Sequence, residues 1–303
     1  MTSDHVSITA IMTAFIRGYH SAHDTPVVFN DSLALQLIPE ERRRLIEQGL
    51  TTAVAQTESP DGDTANLHQV SLSPILQTMG LPNVISRSRY TEDNLESEIG
   101  KGVGQYVILG AGLDTFAFRH GDLLKEIKVF EVDQPGTQEF KRKRLADLNW
   151  GIPHNLHFVP ADLSKEKLAE ALLGSPYNPS AKSLFSLLGV TMYLSPDDVF
   201  ETLRSITQIA PAGSSVIFDY HTKTDARLRE IRKELQRMGE SMNTTFDPSS
   251  LGTELEKLGF YLYEDLGPAD IQERFFDFDR SAKMYHANEN VHLAWAVVGG
   301  RDL

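Results

Sequence analysis

Gly110-Ala111-Gly112 stands directly after the apolar run Tyr106 to Leu109, and a second apolar run, KVFEVD, ends in Glu131 and Asp133. Glycine lets a backbone turn sharply out of a strand and lets a ligand approach without a Cβ in the way. A carboxylate at the end of the next strand can accept both hydrogen bonds of a ribose 2′,3′-diol. The pair therefore points to a nucleotide-like ligand at strand ends. Asp114 and Thr115 decide which kind. A G-x-G-x-x-G turn built for a diphosphate needs a third glycine where Thr115 stands, and Asp114 sets a carboxylate where the diphosphate's charge would lie. A cationic or zwitterionic cofactor tolerates that acid better, so S-adenosylmethionine is expected ahead of a nicotinamide dinucleotide.

A third apolar run ends in Pro160-Ala161-Asp162-Leu163, another carboxylate at the strand end where open α/β sheets bind ligands. Asp162 can accept from an adenine amino group. It can equally cap a helix that starts near Ser164, and spacing leaves both open.

These residues need strands to carry them. From Gln105 onward, short apolar runs (Tyr106 to Leu109, Lys128 to Val132, Leu156 to Val159, Leu184 to Leu188, Ser215 to Phe218) alternate with amphipathic segments, which implies parallel strands joined by crossover helices. Pro196 to Ile209 reads as a helix: Ser195 can cap it, Pro196 suits its first position, and Asp197 and Asp198 favour the positive end of its dipole. Later come a polar helix over Asp225 to Met238, another over Pro248 to Leu258, and runs at Phe260 to Tyr263 and Val291 to Val298. No helix long enough to fill the stretch between those two runs is expected, and the pattern is compatible with a terminal antiparallel pair.

Before Gln105 the chain reads as helices. Ile8, Ile11, Met12, Phe15, Ile16 and Tyr19 recur at helical spacing; further helical patterns cover Leu33 to Ile46, interrupted by Pro39, then Ser71 to Met79, and the stretch after Leu81-Pro82. Thr57 to Ala65 reads as a loop. The expected fold is a Rossmann-like α/β sheet, mostly parallel with a C-terminal antiparallel strand. An N-terminal helical cap over residues 1–100 is expected to be integral with a core over 101–303, whose substrate-shaping insertion lies near 222–286.

A formal net charge of -13 opposes a nucleic-acid partner, because phosphate binding needs a basic face. The one basic run, Lys141 to Arg144, reads as the solvated face of a helix. With no cysteine there is no disulfide, thiolate metal site or cysteine nucleophile. No run of ~18 apolar residues exists to span a membrane, and the N-terminus lacks the basic start of a signal peptide, so a cytoplasmic protein is expected. Nothing in the sequence signals an oligomeric state.

The stretches VILGAGLDTFAFR, VFEVDQPGTQEFKRKRL, VPADL and VTMYLSPDDV resemble the leucine carboxyl methyltransferase family, which includes tetracenomycin-type polyketide O-methyltransferases. The resemblance extends from about Thr9, through TAFIRGYHS and VVFND, to about Tyr220. It implies a class I methyltransferase core that binds S-adenosylmethionine. It also implies residue roles: Arg89 on the cofactor's carboxylate, Gly110 along its methionine part, Asp133 on the ribose, Asp162 and Leu163 about the adenine. His20 falls where a family member uses a cap-helix lysine near the cofactor. One departure stands out: the family has an acid and a small residue before the MYL stretch, and here Leu188-Gly189 occupies that place. Phe116 likewise replaces a basic residue often found after GAGLDT.

The expected cofactor set is thus Arg89, Gly110, Gly112, Asp114, Asp133, Asp162, Leu163 and Leu188, with Tyr193 and His20 as candidates at the chemistry. Methyl transfer asks the enzyme to align a nucleophile with the S–CH3 bond and to exclude water. A carboxylate acceptor is already ionised at neutral pH, whereas a phenol, with a pKa of ~10, gains from a base. Tyr193, His20, Tyr19, His221 and His286 are the side chains open to that task. No H-x-x-x-H or H-E-x-x-H spacing occurs, and no metal is expected. The expected activity is O-methylation of a small molecule in secondary metabolism, at a carboxylate or a phenolic hydroxyl. A protein C-terminal carboxylate, a non-catalytic relative and a dehydrogenase are the alternatives.

Overall fold

The structure, a computed structural model, describes residues 6–58, 71–222, 244–277 and 285–300. The expected polar helix at Asp225 to Met238, and most of the loop at Thr57 to Ala65, lie outside them. Helix α1 (Ile8–His23) opens where the Ser7 side chain accepts from the Ala10 N–H, and α2 (Ala34–Leu37) is one short turn. Pro39 separates α2 from α3 (Glu40–Glu58); α4 (Ser73–Thr78) and α5 (Leu81–Ile99) follow, each with a proline in its first turn.

Strands and crossover helices then alternate: β1 (Gln105–Leu109), α6 (Phe116–Arg119), β2 (Lys128–Asp133), α7 (Pro135–Asp147), β3 (Leu156–Pro160), α8 (Leu168–Leu173), β4 (Ser183–Leu187), α9 (Pro196–Ile209) and β5 (Ser215–His221). The chain closes with α10 (Pro248–Lys257), β6 (Phe260–Leu266), α11 (Pro268–Phe275) and β7 (Val291–Val298). Between the last two strands α11 takes up only part of the linker, started by Pro268 and by Asp270, whose carboxylate accepts from the Gly267 N–H.

The seven strands form one sheet in the order β3-β2-β1-β4-β5-β7-β6. The first five run parallel, and β7 is antiparallel to both β5 and β6. This is the arrangement expected of a class I methyltransferase core. Alternate residues of each strand feed different layers: Tyr106 and Ile108 join the cluster built with α1, α4 and α5, while Val107 and Leu109 join that built with α8, α9 and α10. The helices before β1 therefore share a buried core with the sheet.

Register places the site. Leu109 pairs with Val132 on one side and Leu187 on the other, so the next residues, Gly110, Asp133 and Leu188, leave the sheet side by side. Asp133 pairs with Pro160 and Leu187 with Phe218, which adds Asp162 and Asp219 to the same edge. The chain reverses its strand order between β1 and β4, and the crevice at such a switch point is where open α/β sheets bind ligands.

Candidate functional site

A cavity of about 720 Å³ lies at these strand ends, roofed by α1 from Ser7 to Arg17 and bounded by Arg87 and Ser88 of α5. That volume falls within the usual range for cofactor and small-ligand sites. No helix among the described residues is long and apolar enough to cross a membrane.

The glycine turn forms its floor. Gly110 donates to the Val132 carbonyl at 2.8 Å and has φ 69°, a region that penalises side chains. A Cβ at Gly110 would also come within 2.3 Å of the Val190 side chain. Asp133 holds the turn from β2: one carboxylate oxygen accepts from the Gly112 N–H at 2.5 Å, the other from the Gln134 N–H at 2.7 Å. Burial pushes the Asp133 carboxyl above its ordinary range despite these two bonds. Asp114 also lines the cavity, and its carboxylate accepts from the Phe116 N–H at 2.7 Å.

At the β3 end, Asp162 and Leu163 line the cavity. Asp162 accepts from the Ser164 N–H at 3.1 Å, the Ser164 hydroxyl at 2.6 Å and Lys165 at 2.6 Å. Because α8 begins only at Leu168, Asp162 closes a turn here and does not cap a helix.

Beyond β4 the wall is Leu188, Gly189, Val190, Tyr193 and Leu194. The Tyr193 hydroxyl lies 3.2 Å from the Thr9 hydroxyl, bridging to α1. Gly189 has φ 69°, and a Cβ there would come within 2.5 Å of the Arg87 guanidinium, which lies close against the turn. Arg87 donates to Asp219 at 2.8 Å, and Asp219 also takes the Gly189 N–H at 2.5 Å and Asn83 at 3.1 Å.

Residues 10–207 match the model of the leucine carboxyl methyltransferase family. The chain belongs to that family. A Bacillus subtilis relative, YktD, provisionally named an S-adenosyl-L-methionine-dependent methyltransferase, is 35% identical over 98% of this chain and 99% of its own. A Mycobacterium avium protein with the same provisional name is 29% identical over 77% of this chain and 74% of its own. Two solved structures share the fold: a DUF574 family protein from Streptomyces avermitilis (TM-score 0.56, 15% identity, 94% of this chain and 97% of that one) and a provisionally assigned methyltransferase from Thermobifida fusca (0.53, 14%, 95% and 94%).

Of the family-motif residues expected at the site, Gly110, Gly112, Asp114, Asp133, Asp162, Leu163, Leu188 and Tyr193 all meet at this cavity. Two do not. His20 is fully buried away from it; its Nδ1 sits 2.7 Å from the Asp24 carboxylate and its Nε2 accepts from the Val28 N–H at 2.9 Å, so both nitrogens are engaged. Arg89 points to the surface, its side chain half exposed and bonded to Asp93 at 2.7 Å. Tyr19, His221 and His286 are likewise absent from the wall.

Among the described residues, the cations that line the cavity are Arg17 and Arg87. Arg17 follows Thr9 and Thr13 at helical spacing on the face of α1 that roofs the cavity, a periodicity present in the sequence itself. Glu131, one step below Asp133 on the same face of β2, is not on the wall; it lies 2.5 Å from Lys141, and both side chains are 1% exposed. The solvated-face reading of the basic run is thereby corrected for Lys141, which is a buried counter-ion. Among the described residues, no group of three or more His, Cys, Asp or Glu is placed to hold a metal ion.

Proposed function

We propose that the cavity seats S-adenosylmethionine and that the chain methylates a carboxylate oxygen of a small-molecule acid. When bound, S-adenosylmethionine supplies an electrophilic methyl group on a sulfonium centre. The wall suits such a cofactor. Asp133, half-buried and with its carboxyl pushed up, gains from each hydroxyl donor of a ribose brought to it. Asp162 and Leu163 frame the adenine side. The charged amino-acid end then turns past the glycine turn toward Arg17, which donates to the Leu113 carbonyl at 2.8 Å.

The make-up of the wall beyond Gly189 carries the choice of acceptor. It offers the Arg87 guanidinium, the Tyr193 hydroxyl and the apolar Leu188, Val190 and Leu194. Among the described residues no histidine lines the cavity, and its three carboxylates are engaged: Asp114 by Phe116, Asp133 by Gly112 and Gln134, Asp162 by Ser164 and Lys165. An acid is already ionised at neutral pH and needs no base, whereas a phenol does. Leu188, standing where the family has an acid, spares an incoming anion one repulsion. In this reading Arg87 takes the acceptor carboxylate, Tyr193 donates to it, and α1 excludes water from above.

Calorimetry with S-adenosylhomocysteine and with NADH tests the cofactor, and labelled methyl transfer to small carboxylic acids, phenols and a peptide with a free C-terminus tests the acceptor. Heat from S-adenosylhomocysteine alone and base-labile methyl esters of small acids are expected. Heat from NADH alone, or turnover of phenols without acids, sinks the proposal.

A further inference from the structure

The loop between α1 and α2 holds an acid that touches neither the strand ends nor the solvent. Asp31 is 0% exposed, yet it reaches both the roof and the floor of the cavity. One of its oxygens accepts from Arg17 Nε at 2.8 Å; the other accepts from the Thr115 hydroxyl at 2.6 Å and the Ala34 N–H at 3.1 Å. Arg119 Nε stands 3.5 Å away.

Arg17 is thus fixed at two points, Asp31 and the Leu113 carbonyl just past the glycine turn, and it still lines the cavity. Thr115 terminates the same turn at the start of α6. A single buried carboxylate therefore sets the height of the cation above the turn and the position of the turn beneath it. An arginine side chain tethered through Nε presents its remaining fork in one plane, the geometry that suits a planar carboxylate.

We infer that Asp31 is a positioning residue that aims Arg17 at the amino-acid carboxylate of the cofactor, so that it sets affinity for that end and not for the adenosine end. The inference rests on the reading of the cavity as an S-adenosylmethionine site. The adenosine determinants, Asp133 and Asp162, belong to β2 and to the loop after β3, and neither makes a hydrogen bond to Asp31. A purely structural acid would weaken both halves alike.

The test is calorimetry on the full chain with S-adenosylhomocysteine and with 5′-methylthioadenosine, which keeps the adenosine and the thioether but lacks the amino acid. Asp31→Asn turns an amide donor toward Arg17 Nε while keeping size and one acceptor. Its affinity for S-adenosylhomocysteine is expected to fall about tenfold or more, with that for 5′-methylthioadenosine unchanged within about twofold. Arg17→Lys, which keeps the charge but loses the tethered fork, should show the same selective loss, and it serves if Asp31→Asn does not fold. Equal loss of both ligands, or no loss of either, overturns the inference while the cofactor reading stands. No heat from either ligand with the wild-type chain overturns both.

Discussion

Arg87 and Arg89 lie two positions apart on α5, which turns them about 200° from each other around the helix axis. One packs on Gly189 in the cavity wall and the other pairs with Asp93 at the surface. Their bidentate chemistry is identical; only the phase of the helix separates them. Exchanging each for lysine keeps the charge and removes the fork, so the two variants differ only by position. Arg87→Lys is expected to lower kcat/KM for the best carboxylic acid about tenfold or more, and Arg89→Lys to leave it within about twofold, as surface pairs contribute little. Steady-state methyl transfer decides, and a larger loss at Arg89 would remove Arg87 from the acceptor's binding wall. This pair also marks where residue-level reading of the sequence stops. Gly110, Asp133 and Asp162 were legible because a strand end fixes position to within a residue. A helical residue is assigned to wall or surface only by what the helix packs against, and SRSRY offers two arginines with nothing local to choose between them.

Whole elements were more legible than their contacts. The run Val291 to Val298 and the helix from Pro196 to Ile209 appear with the bounds their patterns imply, because β-branched runs and a capped, proline-led helix start are local signals. Lys141 was misjudged for the opposite reason. Its partner Glu131 sits on another element, and no spacing within KRKR reveals which lysine a strand will bury. The start of α9 isolates a local signal for measurement. The Ser195 hydroxyl accepts from the Asp198 N–H at 3.2 Å, and the Asp198 carboxylate accepts from the Ser195 N–H at 3.3 Å. Ser195→Ala leaves the Asp198 N–H without its side-chain acceptor and is expected to cost about 1 kcal/mol. In a chain of this size that lowers the thermal midpoint by ~2 °C. A melt that superimposes on the wild type would show that the cap contributes nothing to global stability.

At the scale of the molecule, the parallel sheet followed from the alternation of apolar runs and helices, but the seat of the cap did not. Three acids join the N-terminal helices to the rest, two of them fully buried: Asp31 reaches Arg17, Thr115 and Arg119, Glu92 on α5 reaches Arg119 and His120, and Asp219 on β5 reaches Arg87 on α5. Such pairings are long in sequence and carry no periodicity. They make stability depend on pH in a definite direction. Burial alone would raise all three carboxyls, yet their charged and hydrogen-bonding partners hold each below its ordinary value of 3.8 or 4.5. Between the lowered folded value and the ordinary one the unfolded chain binds more protons, so their contribution is present above about pH 4.5 and is lost as the pH falls through the folded values. Glu131 acts oppositely. Burial, with Asp114 and Asp133 nearby, outweighs Lys141 and raises its carboxyl from 4.5 to about 7. There the folded chain holds the extra proton, so its contribution is full below 4.5 and is lost as the pH rises through about 7. The wild-type chain is therefore expected to lose stability both below about pH 4 and, through Glu131, between pH 5 and 8. Glu131→Gln cannot titrate there, so its thermal midpoint should decline less steeply than the wild type's over the neutral limb while keeping the acid limb. Midpoints measured for both proteins across that range read the two limbs separately. Parallel curves between pH 5 and 8 would show that Glu131 stays ionised beside Lys141 throughout.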